Sequence, residues 1–520
     1  MTSTVQQKNR ESGTSLVLAV ASLVFLIPMI GLAVDVGFLY VVKARLQSSV
    51  DGASLAAARA LNLGQSTAAQ ATSAKQNAVN WFYANYPAGS WLTSNTQMDT
   101  SNAHVNVYDD VVNPSLRHVD VTASSAVPTF FMKWFGVNTT AINAFGYATR
   151  RDVNAMLVLD RSGSMGSSCG ALITAAKTFT GQFAPQRDKI GAISFADNAY
   201  LHSVPTANFQ TTLGYTNSFG TSNGELDSIA CAGGTATPQA IALAYNELYK
   251  INQPGALNVI VVETDGRPNT VTVNFWDGTS AGITAGSGCL DLNNRTKGAG
   301  GFNNVASLRP WTGGHSMNTG GTGYMADIPA GIIGGLGGTD VGNTAFLLFN
   351  SWTTVKTNTY NETANQYPPS GNTLGCAMAN SHNNLNDIAW LPTRDVYGSN
   401  LIDASYNAVT IAGGHISPVN MTQIRAAAFN ATDDAAARAR TNTNIPAYVF
   451  AVGFTASVDD TILQRIANDP GWLSSSSCTT SGKCVVQPTQ PEGTYVFAAT
   501  TADLVPAFLS LSSQILRLSR

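Results

Sequence analysis

The chain has 520 residues, too many for one ordinary domain, and 44% of them are hydrophobic, enough for two or three cores. Only 11% are charged, against roughly 25% in average soluble proteins. Glycine (47 residues), Asn, Thr and Ser take their place, giving a polar, uncharged surface that suits an extracytoplasmic protein. With 28 basic and 31 acidic residues, a net charge of −3 and no long basic run, no nucleic-acid partner is expected.

Residues 16–34 read LVLAVASLVFLIPMIGLAV without a charge, a length that suits one helix across about 30 Å of hydrocarbon. The run passes through Asp35 into GFLYVVKARLQSSVDGASLAAARAL, so a helix of falling apolarity is expected to about Leu61. An uncleaved membrane anchor is the reading, with a cleaved signal peptide as the rival. Lys8 and Arg10 precede the span while Lys43 and Arg45 follow it, so flanking charge says little about orientation. The six cysteines (Cys169, Cys231, Cys289, Cys376, Cys478 and Cys484) show no CxxC and no zinc spacing. Read as disulfide partners they need the oxidising side, which places the N-terminus inside and the bulk of the chain outside.

A second helix, TAAQATSAKQNAVNWFYANY, is expected to end at Pro87. Strands follow in AHVNVYDD, RHVDVTASSAVPTFFMKWF and TTAINAFGYATR, where the alternation of Val105 with Val107 and Val119 with Val121 marks half-buried strands. A long helix followed by a small antiparallel sheet is a pilin-like arrangement. The span, Asp35, the QSSVDGASLAAARAL run and VTASSAVPTFF resemble the TadE/TadG-like proteins of tight-adherence (Flp) pilus systems, over roughly residues 10–150. Type IV-like prepilins carry a Gly before the cleavage point and a Glu at the fifth mature position. Gly13 would put Leu18 there, so the chain departs from that pattern and looks like a membrane-anchored minor component.

An apolar strand at 155–159 then runs into Asp160-Arg161-Ser162-Gly163-Ser164, with a helix expected from about Gly170. Further on, ACAGGTATPQAIALAYNEL presents Thr235 just ahead of a helix, and NVIVVETDGRPN gives a buried strand at 258–263 ending in Thr264-Asp265-Gly266. A hard divalent cation needs oxygen ligands, and loops at the C-terminal ends of parallel strands can aim hydroxyls and carboxylates at one point. These segments resemble the DxSxS, Thr and (T)DG motifs of von Willebrand factor A domains, over about 152–268 and 418–518. The resemblance implies that Ser162, Ser164 and Thr235 contact Mg²⁺ (or Mn²⁺ or Ca²⁺) directly, and that Asp160 and Asp265 bind it largely through water. It also implies an open position for a carboxylate from a protein partner, a pilus or surface component. Arg161 is expected at the surface. Glu263 reads either as a further charge near the site or as a helix partner.

Strands at 189–195, 447–452 and 494–498, an antiparallel edge at 200–204, and helices at 459–468 and 502–516 complete the pattern. The alternation implies an α/β fold: a doubly wound, Rossmann-like vWA domain with a large insertion. The insertion, about 268–418, is Gly/Asn/Thr-rich with interspersed aromatics; it is expected to be ordered and to sit beside the metal face. The organisation is thus a cytoplasmic tail (1–14), a transmembrane anchor (15–40), a TadE/G-like helix with antiparallel strands (41–150) and the vWA domain (151–520). Cys478 and Cys484 are joined by a short turn-rich loop. Cys169 and Cys231 flank two loops that the resemblance brings to one metal, so they are expected to pair, which leaves Cys289 for Cys376.

The histidines (His104, His118, His202, His315, His382 and His415) are scattered, and no HExxH, GxSxG or P-loop occurs. A binding protein and not an enzyme is therefore expected: a single-pass protein of a bacterial cell membrane, its bulk periplasmic or extracellular, acting in pilus assembly or adhesion. Two alternatives stay open: a surface adhesin unconnected to pili, and an enzyme whose site lies in the insertion, with the vWA domain as its docking module.

Overall fold

A computed structural model describes residues 11–196, 199–214, 224–231, 235–268, 271–274, 299–302, 308–310, 400–403, 407–410, 421–481 and 484–519. The chain divides into two compact units, the first ending at Arg151 and the second beginning at Asp152.

In the first unit the apolar run and the Ala-rich stretch form one continuous helix, α1 (Glu11–Ala60), with Pro28 inside it. It is the one helix among the described residues that is long and apolar enough to cross a membrane. α2 (Thr67–Asn85) starts at Ser66, whose hydroxyl accepts the N–H of Ala69 at 3.2 Å and so caps the helix. Small side chains (Ala53, Ala57, Ala74, Ala78) line the buried faces of the two helices. The sheet consists of β1 (Ser94–Gln97), β2 (Val105–Asp109), β3 (Leu116–Pro128) and β4 (Thr139–Arg151). β3 pairs antiparallel with β4 along one edge and with β2 and then β1 along the other. Val105, Val119, Val121 and Ala123 share the core with Val42, Leu46 and Val50 of α1, as the period-two alternation requires.

One strand is shorter than expected. β3 stops at Pro128, and the FFMKWF segment forms the tip of the β3–β4 hairpin, with a 3₁₀ turn at Met132–Phe135. The cause lies far away in sequence. The Asp35 carboxylate accepts the N–H groups of Phe130, Phe131 and Met132 at 2.7, 2.9 and 2.6 Å, which takes those donors away from any ladder.

The second unit contains β5 (Val153–Asp160), α3 (Cys169–Thr180), β6 (Lys189–Phe195), β7 (Ala199–Thr206), a short α4 (Phe209–Thr212), α5 (Thr237–Ile251) and β8 (Leu257–Thr264). Three short strands, β9 (Val271–Asn274), β10 (Ala299–Phe302) and β11 (Leu308–Pro310), form an antiparallel sheet of their own. α6 (Met421–Thr441), β12 (Ala447–Phe454), α7 (Asp460–Ala467), α8 (Ser476–Ser481), β13 (Tyr495–Ala498) and α9 (Thr501–Leu518) follow. The main sheet has the order β13-β12-β8-β5-β6-β7, parallel except for β7.

Every residue of β5 and β8 is buried, as expected of central strands covered on both faces. One core joins the sheet to α5, α6 and α7, the other to α3 and α9. The fold is the doubly wound α/β architecture expected, with β5 leading to β6 on one side and lying against β8 on the other. The C-terminal ends of these strands form the crevice in which such folds bind ligands. Most of the expected insertion, Cys289 and Cys376 included, lies outside the described residues.

Candidate functional site: a cluster of oxygens at the sheet edge

Asp160 is the last residue of β5 and is completely buried. One of its carboxylate oxygens accepts the N–H of Ser162 at 2.7 Å, and the other accepts the hydroxyl of Thr264, the last residue of β8. This pins the Asp-Arg-Ser turn against the neighbouring strand end. Ser162 and Ser164 hydroxyls lie 2.9 Å apart, and Ser164 donates to Asp265 Oδ1 at 2.7 Å. Thr235 precedes α5 and is buried. A Cβ built on Gly266 would lie 3.6 Å from Thr235 Oγ1 and 3.9 Å from Ser164 Oγ, which places both hydroxyls beside the same turn. All five expected residues (Asp160, Ser162, Ser164, Thr235 and Asp265) therefore converge from three loops.

The electrostatics of the cluster are one-sided. Burial pushes the Asp160 carboxyl up to about 7, with the Asp265 charge adding to the rise. Asp265 is raised mainly by burial, opposed by the hydroxyls of Ser164 and Ser162. Glu263 also belongs to the cluster. It is buried on β8, accepts the Asp160 N–H at 3.3 Å on one oxygen, and its other oxygen has no hydrogen-bond partner among the described residues. Burial first, then the charges of Asp160 and Asp265, push it well above the usual carboxylate range. Glu263 thus lies beside the cluster as a buried carboxyl held towards its neutral form.

Two carboxyls, a third behind them and three hydroxyls form an all-oxygen donor set, which suits a hard divalent cation. Asp160, Asp265 and the three hydroxyl residues are the side chains that would hold such an ion.

The sequence left out several neighbours. Thr264 bonds Asp160 and also accepts the Gly266 N–H at 3.2 Å, while Ser457, after β12, donates to the Asp265 carbonyl at 3.0 Å. Arg161, expected at the surface, is buried. Its N–H donates to Phe195 O at the end of β6, which draws it inward, and its charge joins burial in pushing His202 down to about 3. Cys169 at the start of α3 is disulfide-bonded to Cys231, with Cα atoms 6.0 Å apart, tying the DxSxS loop to the segment before Thr235. Cys478 is bonded to Cys484, with a Cα separation of 5.3 Å.

Comparison with known proteins agrees with this arrangement. Residues 155–267, which hold all five site residues, match the model of the von Willebrand factor type A domain. The chain thus carries an A-type domain. Residues 13–60 match the model described as putative Flp pilus-assembly TadE/G-like, so this domain follows a TadE/G-like N-terminal segment. No curated protein matches the chain. Among solved structures, the PilB minor pilin from Streptococcus sanguinis is similar at 11% identity and a TM-score of 0.32, covering 80% of this chain and 79% of that one. The vWF domain of the type V pili tip protein Mfa5 from Porphyromonas gingivalis is similar at 12% identity and a TM-score of 0.32, over 72% of this chain and 98% of that one. The pilus adhesin SpaC from Lactobacillus rhamnosus GG shows 14% identity and a TM-score of 0.33, over 80% of this chain and 35% of that one.

Proposed function

We propose that this protein is a membrane-anchored, extracytoplasmic binding protein, a minor component or assembly factor of a tight-adherence (Flp) pilus. In this reading its A-domain holds a divalent cation and, through it, a carboxylate of a protein partner. The observation that carries the reading is the convergence of Asp160, Ser162, Ser164, Thr235 and Asp265 at the crevice of the sheet, with both carboxyls raised by burial and Asp160 further by the Asp265 charge. The TadE/G-like segment at 13–60 supports the connection to pili, and the apolar half of α1 supports a single-pass anchor.

When bound, a divalent cation supplies one further position for an oxygen ligand. The chain's own residues do the remainder. Thr264 and the Ser162 N–H orient Asp160, and Ser164, itself exposed, orients the buried Asp265.

Calorimetric titration of the full chain in detergent with Mg²⁺, Mn²⁺ or Ca²⁺ tests the site. One binding site is expected, and Asp265→Asn should remove it while the circular dichroism stays unchanged. Unchanged binding in that variant would sink the metal assignment. Cross-linking in cells tests the partner. Pilus subunits captured by wild type and lost with Asp265→Asn are expected, whereas capture of host or matrix proteins alone would favour an adhesin unconnected to pili.

A further inference from the structure

The tip of the β3–β4 hairpin exposes an unusual set of side chains. Trp134 is 82% and Phe135 74% exposed, and Phe130, Phe131 and Val137 are partly so. The tip lies along the apolar part of α1. Phe131 packs onto Gly31, where a Cβ would come within 2.4 Å of its ring. Trp134 and Phe135 line a cleft with Val20, Leu23, Val24 and Ile27. Ile27 is eight residues before Asp35, so the tip reaches about 12 Å or more down the helix axis from that carboxylate.

The backbone of the tip is unusually well paired for a loop. Asp35 takes the N–H groups of Phe130, Phe131 and Met132. Thr129 N–H donates to Asn138 O, Trp134 to Phe131 O, Gly136 to Lys133 O and Val137 to Met132 O. The Thr129 hydroxyl donates to the carbonyl of Val137. Irregular backbone is excluded from hydrocarbon because unpaired amides there cost several kcal/mol each. Here seven amides of residues 129–137 are paired within the unit, three of them by one carboxylate. The tip's only charged side chain, Lys133, interacts electrostatically with Asp35, at the shallow end of the contact.

We propose that this aromatic tip is a second membrane-inserted element, a wedge that sits in the lipid leaflet on the side of the folded stalk, alongside the anchor. The occupant of its exposed face is lipid acyl chain. Its surface is continuous with that of Val20, Val24, Ile27 and Met29, themselves exposed on the anchor, so whatever solvates those residues solvates Trp134 and Phe135. The proposal rests on the reading of α1 as a membrane span. That span is about 30 Å long, and the cleft beneath the tip extends to Val20, about 22 Å along the axis from Asp35 and past the midpoint.

The test uses the full chain in phosphatidylcholine–phosphatidylglycerol vesicles whose acyl chains are brominated, in separate preparations, near the carbonyl end and near the terminal methyl. Subtracting the emission of the Trp134→Phe variant isolates Trp134. Flotation with the vesicles comes first, because a chain that stays at the bottom of the gradient overturns the anchor and the wedge together. For a floating chain, the expected result is a blue-shifted Trp134 emission, most of it lost in bromolipid and untouched by aqueous iodide. Quenching by iodide and not by bromolipid would place the tip in water and overturn the wedge while leaving the anchor standing. A signal sensitive to neither quencher would mean that a protein covers the tip, a second copy or another membrane helix, and would equally overturn the lipid assignment.

Discussion

Acidic side chains are used in opposite ways in the two units. At the hairpin tip a single carboxylate, Asp35, is met by three backbone N–H groups and stabilises the local structure it touches. At the C-terminal end of the A-domain sheet, Asp160, Glu263 and Asp265 are crowded together, buried and pushed upward by burial, Asp160 and Glu263 also by their acidic neighbours. The first arrangement is complete within the fold. The second is a store of unfavourable charge that the rest of the domain holds in place, as binding sites do. A residue's type does not separate the two roles; the partners its neighbours supply do.

The largest effect expected from this difference is a dependence of stability on pH. Asp160 moves from 3.8 to about 7 on folding. Between these values the folded protein keeps a proton that the unfolded chain has released. The stability of the metal-free A-domain should therefore fall as pH rises through that window, by up to about 4 kcal/mol, and level off above it. Thermal unfolding in chelator across this range should show the slope, and Asp160→Asn should make it shallower, with Glu263 and Asp265 supplying the remainder, while making the metal-free domain more stable at neutral pH. An equal slope in the variant would show that the charge at Asp160 is not costly.

The crowding also needs a clamp. Removing the Cys169–Cys231 bond, which closes a loop of 62 residues, should cost the A-domain about 3 kcal/mol in denaturant unfolding. It should also weaken cation binding, because it frees the DxSxS loop from the segment before Thr235. Loss of stability with full cation affinity would mean that the bond serves the fold alone.

Asp35 is expected to behave in the opposite sense to Asp160. Asp35→Ala leaves three amides without their acceptor and should loosen the tip by about 2 kcal/mol, read as roughly 30-fold faster hydrogen exchange at Phe130, Phe131 and Met132. The smallest effect concerns Ser457. Ser457→Ala removes one hydrogen bond to the Asp265 carbonyl and should lower cation affinity by about tenfold or less, with little change in melting. A gain in affinity on its removal would show that this contact holds Asp265 away from the ion.

Much of the A-domain was legible in sequence because its signals are local. β5 and β8 are apolar runs that end on their functional residues, and the β6 strand occupies the residues its pattern indicates. The readings that failed depended on partners distant in the chain. FFMKWF has strand-like residues, yet Asp35, almost a hundred positions earlier, takes its amides. β1, a polar SNTQ segment pairing with β3 across a register irregularity, carries no alternation to find. Arg161 sits in a motif position free to vary, and nothing local in the sequence signals that it is buried. Thr264 and Ser457 were missed for the same reason: each acts on a site residue contributed by another strand end, or on that residue's backbone.

α1 has a mechanical weak point. Pro28 cannot donate to Val24, so a long rod is most easily bent there. Ala60 stands about 48 Å further along the axis, and a bend of about 20° at the proline would swing it sideways by about 16 Å. The hairpin runs beside the helix on both sides of that point, with Gln47 bonded to Phe145 O at 2.6 Å above it, Phe131 seated on Gly31 just past it, and Trp134 against Ile27 and Val24 below. A joint splinted in this way does not act as a hinge. With both members in the bilayer as proposed, a sideways pull on the stalk would be carried down the two of them, and the stalk would lean as one stiff lever instead of folding at its root.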